Sequence, residues 1–281
     1  MKIAICAICK NENLYLREWV EYHKNLGFDK IILYDNNAID GEFPQQVIFD
    51  YVESGYVDVH NVRGLKTEKP AALTYQPIIY NNCLEKYKDK YEWIAFIDID
   101  EFFEIESGNI HHTFNLMEYD KTEYDTIFVS WMSMGDTQMY YNEESIKERF
   151  QDVIPNNTDP NNGTPRGLSS LYIKSIIRTS ANKEFFISPH CPKFAKPCSV
   201  DLLPINIHDY ILVEAIQKPI WKVMYLKHYC VKSFSEYLCR RLNNKQIDRF
   251  DEYRQLLGWN DQHQQMYDYM INYINNQEKI Y

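Results

Sequence analysis

The apolar positions of this chain fall in short runs divided by polar stretches, and the period of each run indicates the element it builds. Residues 2 to 9, rich in Ile, Ala and Cys, make an unbroken apolar run of strand length. Lys10-Asn11-Glu12-Asn13 then supplies polar caps for a helix on which Leu16, Trp19, Val20 and His23 share a face, and Gly27 closes it. Residues 28 to 34 read as a second strand ending in Asp35-Asn36-Asn37. A third strand is predicted around residues 57 to 62, leading into Arg63-Gly64-Leu65-Lys66, followed by a helix carrying Ile79, Cys83 and Tyr87. Strands and helices alternating at this length predict a mostly parallel sheet with right-handed crossovers.

The run that follows is the most informative. Trp93-Ile94-Ala95-Phe96-Ile97 ends abruptly in Asp98-Ile99-Asp100-Glu101. On a strand, side chains two apart face the same way, so Asp98 and Asp100 are expected to project together from the carboxyl edge of the sheet, where open α/β folds place ligands. Two neighbouring carboxylates repel unless a cation joins them. Oxygen ligands with room for a diphosphate suit Mg²⁺ or Mn²⁺. An Asp-x-Asp often does no more than cap a turn. Desolvating three acids at the end of a core strand is costly, however, and capping alone does not account for that cost.

Beyond a further strand at residues 125 to 131, turn-forming residues concentrate between 156 and 165, marking a mobile loop or an internal boundary. Strand signals resume at residues 170 to 177 and 221 to 226, and the last fifty or so residues read as helical. No internal repeat is evident.

Composition narrows the function classes. With 281 residues, 45% of them hydrophobic, the chain can bury a large core, as one domain or as a sheet domain with a helical appendage. Its formal charge of −10 argues against nonspecific nucleic-acid binding, which needs clustered Lys and Arg. The opening apolar run is too short for a signal core, and no segment approaches the roughly 20 apolar residues of a membrane span, so a cytoplasmic location is expected. The seven cysteines are an odd number without a framework spacing and are read as reduced. Cys6 and Cys9 are read as structural, since no second pair completes a zinc site. The sequons at Asn156 and Asn162 matter only in a secreted protein.

Four ordered patches resemble a GT-A glycosyltransferase of the family 92 type and its bacterial family 2-like relatives. They are Lys10-Asn11-Glu12 with Glu18-Trp19-Val20-Glu21-Tyr22-His23, Gly27 and Tyr34-Asp35-Asn36; residues 93 to 102; Val129-Ser130-Trp131-Met132-Ser133-Met134-Gly135; and His228-Tyr229-Cys230-Val231-Lys232-Ser233-Phe234-Ser235-Glu236-Tyr237. The chain departs from the family pattern at Met134, Ser235 and Tyr237.

The resemblance implies an α/β, Rossmann-like GT-A fold over residues 1–232, with a nucleotide-sugar half to about 105, an acceptor half from 106, and a helical extension over 233–281. It further implies metal-dependent transfer of a hexose, galactose or a related sugar, from a UDP-sugar to a glycan or glycolipid acceptor in surface polysaccharide or lipopolysaccharide synthesis. Peripheral membrane association through the aromatic C-terminal helices fits the same picture.

Under this reading Asp100 ligates the metal directly, Asp98 lies nearer the ribose or reaches the metal through water, and His228 completes the site. Lys232 is either a point charge for the diphosphate or a surface lysine. Asp35 is placed to accept from base or ribose, with Asn11 and Glu12 in the same pocket or capping a helix, and Arg63 either contacts the nucleotide or finishes a strand. An inverting reaction needs a base, for which Asp136, Glu214 and Glu236 are candidates. Trp131 offers a stacking face for a sugar or serves the core. The rival classes are a noncatalytic nucleotide-sugar or carbohydrate-binding protein, an Asp-x-Asp phosphatase, and a nucleotidyltransferase. The phosphatase would carry its acids on the first strand, and the nucleotidyltransferase would carry a glycine-rich loop there.

Overall fold

A computed structural model describes residues 1–64, 75–135, 138–155, 169–181, 186, 188–192, 196–205, 210–212, 215–216, 218–243 and 249–277. One half of its main sheet is parallel, built from β1 (Ile3–Cys9), β2 (Lys30–Asp35), β3 (Val57–Asn61) and β4 (Trp93–Phe96) in the order β3-β2-β1-β4. β1 and β4 are buried almost throughout, which is why their sequences run apolar without alternation.

Helix α1 (Asn13–Asn25) buries Tyr15, Leu16, Trp19, Val20 and His23 along one face. The short helices α2 (Pro44–Val47) and α3 (Phe49–Glu53) connect β2 to β3, and α4 (Tyr75–Tyr87) packs Ile79, Tyr80, Cys83 and Tyr87 in one cluster with Cys6, Ile94 and Phe96. The predicted side-chain capping of α1 does not occur. Glu12 is its N-cap residue without a side-chain cap hydrogen bond, and Asn11 turns into the left-handed region at φ 57°, donating its N–H to Asn37 Oδ1 at 2.7 Å. The turn after β2 thus supplies an acceptor, and the chain bends toward it.

The remaining elements of the sheet half are β5 (Glu101–Ile105), α5 (Ile110–Leu116), β6 (Thr126–Ser133), β7 (Ile173–Arg178), β8 (Pro197–Ser199), the paired β9 (Tyr210–Leu212) and β10 (Ala215–Ile216), and β11 (Met224–His228). β7 lies antiparallel between β4 and β6, and β5 pairs antiparallel with β11, so the order continues β4-β7-β6-β11-β5. The α/β arrangement expected from the sequence is present, with an antiparallel half joined to the parallel one.

The acid-bearing strand is shorter than its sequence suggests. β4 stops at Phe96, and Asp98, Ile99 and Asp100 lie in a turn leading to β5. They therefore do not share a strand face; the chain leaves the sheet after Ile97 donates to Cys6 O at 3.2 Å.

The chain divides into two compact units. The first is built from the described residues of Met1–Met132 and Leu171–His228, the second from those of Ser133–Asn157 and Tyr229–Tyr281 with Ser169 and Ser170. In the second unit, α6 (Ile146–Arg149), α7 (Phe234–Asn243), α8 (Arg249–Leu257) and α9 (Asp261–Gln277) accompany a cluster of Ile154, Val231, Phe234, Tyr237, Phe250 and Tyr253. At the start of α7, Glu236 Oε2 reaches back to accept from Ser233 N–H at 3.2 Å and from Ser233 Oγ at 2.5 Å. A Cβ on Gly135 would meet Ile154 Cδ1 at 3.0 Å and Val231 Cβ at 3.1 Å, so this close approach admits only glycine comfortably. Among the described residues, no helix is long and apolar enough to cross a membrane.

Candidate active site

The turn after β4 is closed from both ends, with Glu101 N–H donating to Asp98 O at 3.2 Å and Asp98 N–H donating to Glu101 Oε2 at 2.9 Å. The closure sends the two aspartates to different partners. Asp98 Oδ1 accepts from Gln76 Nε2 at 2.7 Å and from Tyr80 OH at 3.4 Å, while Oδ2 accepts from Lys174 Nζ at 2.8 Å. Lys174 stands on β7 with only 1% of its side chain exposed, donates also to Pro189 O at 3.3 Å, and lies 3.7 Å from Glu101 Oε1. Asp100 Oδ1 lies 3.6 Å from His228 Nε2. That pairing follows from strand register, since the β5–β11 ladder sets His228 opposite Glu101.

Charge is distributed unevenly here. Burial pushes the Glu101 carboxyl well above the usual carboxylate range; Lys174 opposes this, and the charges of Asp98 and Asp100 reinforce it. Burial by itself would lower the Lys174 ammonium, yet Asp98 and Glu101 outweigh it and hold the group above its ordinary value. Burial, helped by the charges of Lys174 and His228, drives His190 down to about 3. His190 is thus a neutral imidazole whose Nδ1–H donates to Ile173 O at 2.8 Å.

Aromatic rings surround this charge. Trp131 packs on His228 with centroids 4.0 Å apart and meets His190 edge-on at 5.2 Å, and Tyr172 stacks on His190 at 5.2 Å. The Trp131 indole N–H and the His228 Nδ1 are buried without a hydrogen-bond partner.

The expected nucleoside side, at the exit of β2, is a closed hydrogen-bonded hub. Asp35 is buried; its Oδ1 accepts from the N–H and Nδ2 of Asn37 at 3.1 and 2.7 Å, and its Oδ2 from Arg63 Nε at 2.7 Å. Arg63 also donates to the carbonyls of Ala38, Ile39 and Glu42 and covers the Phe43 ring at 4.0 Å. Asn11 joins the hub through Asn37. Lys232 belongs to the second unit, where it is buried at φ 60°, and Glu236 is there too, capping α7 and lying 3.5 Å from Arg149. Asp136 and Glu214 lie outside the described residues.

The residues present fit a divalent cation held by few protein ligands. Adjacent ligands in an octahedral shell with bonds of about 2.1 Å stand roughly 3 Å apart, close to the Asp100–His228 separation. Among the described residues no group of three His, Cys, Asp or Glu side chains converges on one point. A cavity of about 490 Å³ lined by Lys88, Asp89, Glu92, Asp120 and Arg178 lies instead at the entry end of β4 and contains none of these groups.

Lys174, His190, Gln76 and Tyr80 were not singled out from the sequence. Lys174 carried a legible signal, a lone cation inside Ile173-Lys174-Ser175-Ile176-Ile177, because a lysine in a core strand needs a partner. The others sit in ordinary contexts, and only the packing brings them in.

Residues 2–253 match the profile of glycosyltransferase family 92. The chain belongs to glycosyltransferase family 92. Similar relatives of this family 92 chain include a family 92 protein of Arabidopsis thaliana, 28% identical over 102 residues, covering 36% of this chain and 16% of the relative. A galactan β-1,4-galactosyltransferase of the same plant is 29% identical over 96 residues, covering 34% and 19%. The aligned stretch is thus less than a fifth of the length of these relatives. Among solved structures, S. aureus TarS 1–349 aligns with a TM-score of 0.42 and 15% identity, over 88% of this chain and 65% of that one.

Proposed function

We propose that this family 92 chain is a metal-dependent glycosyltransferase that moves a hexose, galactose or a related sugar, from a UDP-sugar to a glycan or glycolipid acceptor. The observation that carries the reading is the Asp100–His228 pair, 3.6 Å apart at the exit of the parallel half-sheet. Asp100 and His228 would hold Mn²⁺ or Mg²⁺, which when bound supplies a Lewis acid for the departing diphosphate. Trp131 holds the His228 imidazole by ring packing and keeps water from that side.

Asp35, Asn11, Glu12 and Arg63 shape the nucleoside end of the donor site, with Arg63 fixing the loop that follows β2. Lys232 is assigned to the diphosphate, and Asp136 or Glu236 to deprotonating the acceptor hydroxyl. The acceptor is assigned to surface polysaccharide or lipopolysaccharide, and the location to the cytoplasm, at the inner face of the membrane. Incubating the protein with Mn²⁺ and a panel of nucleotide sugars tests the reading. UDP release from at least one donor, abolished by EDTA, is the expected result; folded protein that releases none overturns it.

A further inference from the structure

The Asp-x-Asp of this chain differs from a symmetric pair of ligands because one of its acids is already bound to a buried cation of the protein itself. Both carboxylate oxygens of Asp98 are occupied, Oδ1 by Gln76 and Tyr80 and Oδ2 by Lys174. Lys174 is 1% exposed, so it depends on Asp98 for its charge balance. If Asp98 swung away, the buried ammonium would keep the Pro189 carbonyl at 3.3 Å but would have as its nearest remaining anion Glu101 Oε1 at 3.7 Å, beyond hydrogen-bond reach. The backbone beneath it is held in the turn, since Asp98 N–H donates to Glu101 Oε2 at 2.9 Å. Asp100, at the far end of the same turn, faces His228 instead.

We propose that Lys174 is a positioning residue that holds Asp98 outside the cation's shell, leaving Asp100 and His228 as its protein ligands and making cation capture depend on the donor diphosphate. The inference rests on the metal-dependent reading above and deepens it. With Asp98 neutralised by Lys174, the entering divalent ion meets one carboxylate and an imidazole. Most of the opposing charge must then arrive with the nucleotide. The arrangement thereby couples cation and donor binding, and it restricts a tightly held ion to the moments when a diphosphate is present to use it.

Mn²⁺ titrations followed by the EPR signal of the free ion, with and without UDP, test this. Wild-type protein is expected to bind Mn²⁺ at least about tenfold more tightly with UDP than without. Lys174→Met releases Asp98 toward the site, so Mn²⁺ alone should bind about tenfold more tightly and the gain from UDP should shrink. Folded Lys174→Met with wild-type titrations overturns the proposal.

Because loss of a buried cation endangers folding, the charge-conserving pair Asp98→Asn/Lys174→Met supplies a second measure. It is expected to keep both Mn²⁺ affinities within about threefold of wild type, as a shell without Asp98 requires. A loss of about tenfold or more in the folded double variant makes Asp98 a ligand and overturns the inference while leaving metal dependence intact. Wild-type protein that takes up no Mn²⁺ even with UDP overturns the metal-dependent reading itself, and this inference with it.

Discussion

At the exit of β2, Asp35 spends both oxygens on Asn37 and Arg63, and Arg63 in turn donates to the loop carbonyls of Ala38, Ile39 and Glu42. At the exit of β4, 3.6 Å separate Asp100 from an imidazole whose other nitrogen has no partner, beside a Glu101 oxygen and a Trp131 N–H that also lack one. Both exits lie in the first unit, and both bury carboxylates. The first balances its charges and hydrogen bonds from within the chain, which makes it a rigid frame. The second keeps polar atoms without a hydrogen-bond partner under burial, the Glu101 Oε1, the Trp131 indole N–H and the His228 Nδ1.

The largest effect that separates the two exits is expected from Asp100→Asn. Mn²⁺-dependent UDP binding should fall by about a hundredfold or more in calorimetric titration, with the melting temperature unchanged or raised because a buried charge is removed. Unaltered nucleotide affinity would break the comparison at once. Arg63→Met should do the reverse, costing about 3 kcal/mol in urea unfolding by leaving Asp35 buried without its cation, while the Mn²⁺ affinity of folded protein stays put. If Arg63→Met instead shifted metal affinity and spared stability, the two exits would have exchanged roles.

The β4 side is also expected to be acid-sensitive through His190. Its folded pKa of about 3 lies below the unfolded value near 6.5, so the unfolded chain takes up the proton first. The stabilisation is complete above pH 6.5 and declines as pH falls toward 3. Between pH 6.5 and 4.5 it amounts to about 2 to 3 kcal/mol, and His190→Gln should flatten that part of the stability profile. A smaller effect, about 1 kcal/mol, is expected from Glu236→Gln, which weakens the cap of α7. If turnover in that variant drops far more than stability, Glu236 is the acceptor base; if only stability moves, the role passes to the other two candidates, Asp136 and Glu214.

Much of the frame was legible along the chain. β1 and β2, the buried face of α1 and the strand at Trp93–Phe96 announce themselves through apolar period and turn residues, which are local properties. The site was legible in part. Asp100 and His228 could be named from their patches, and the structure brings them together. Asp98 is expected from the sequence to face the same way as Asp100 because the strand is extended through Asp100, four residues past its end at Phe96; the reciprocal Asp98–Glu101 hydrogen bonds make a turn of that stretch. Capping of α1 by Asn11 and Glu12 likewise misread a polar cluster whose acceptor, Asn37, lies 26 positions away.

The sequence by itself determined β1, β2, the buried face of α1 and the core strand at Trp93–Phe96 with three acids beyond its end, because periodicity and burial leave their mark on neighbouring residues. The tertiary structure alone decided that Lys174 neutralises Asp98 across 76 positions and that His228 faces Asp100. Those pairings depend on inserting β7 beside β4 and on the register of β11 against β5, and nothing in a residue's own neighbourhood in the chain encodes which strand its side chain will meet.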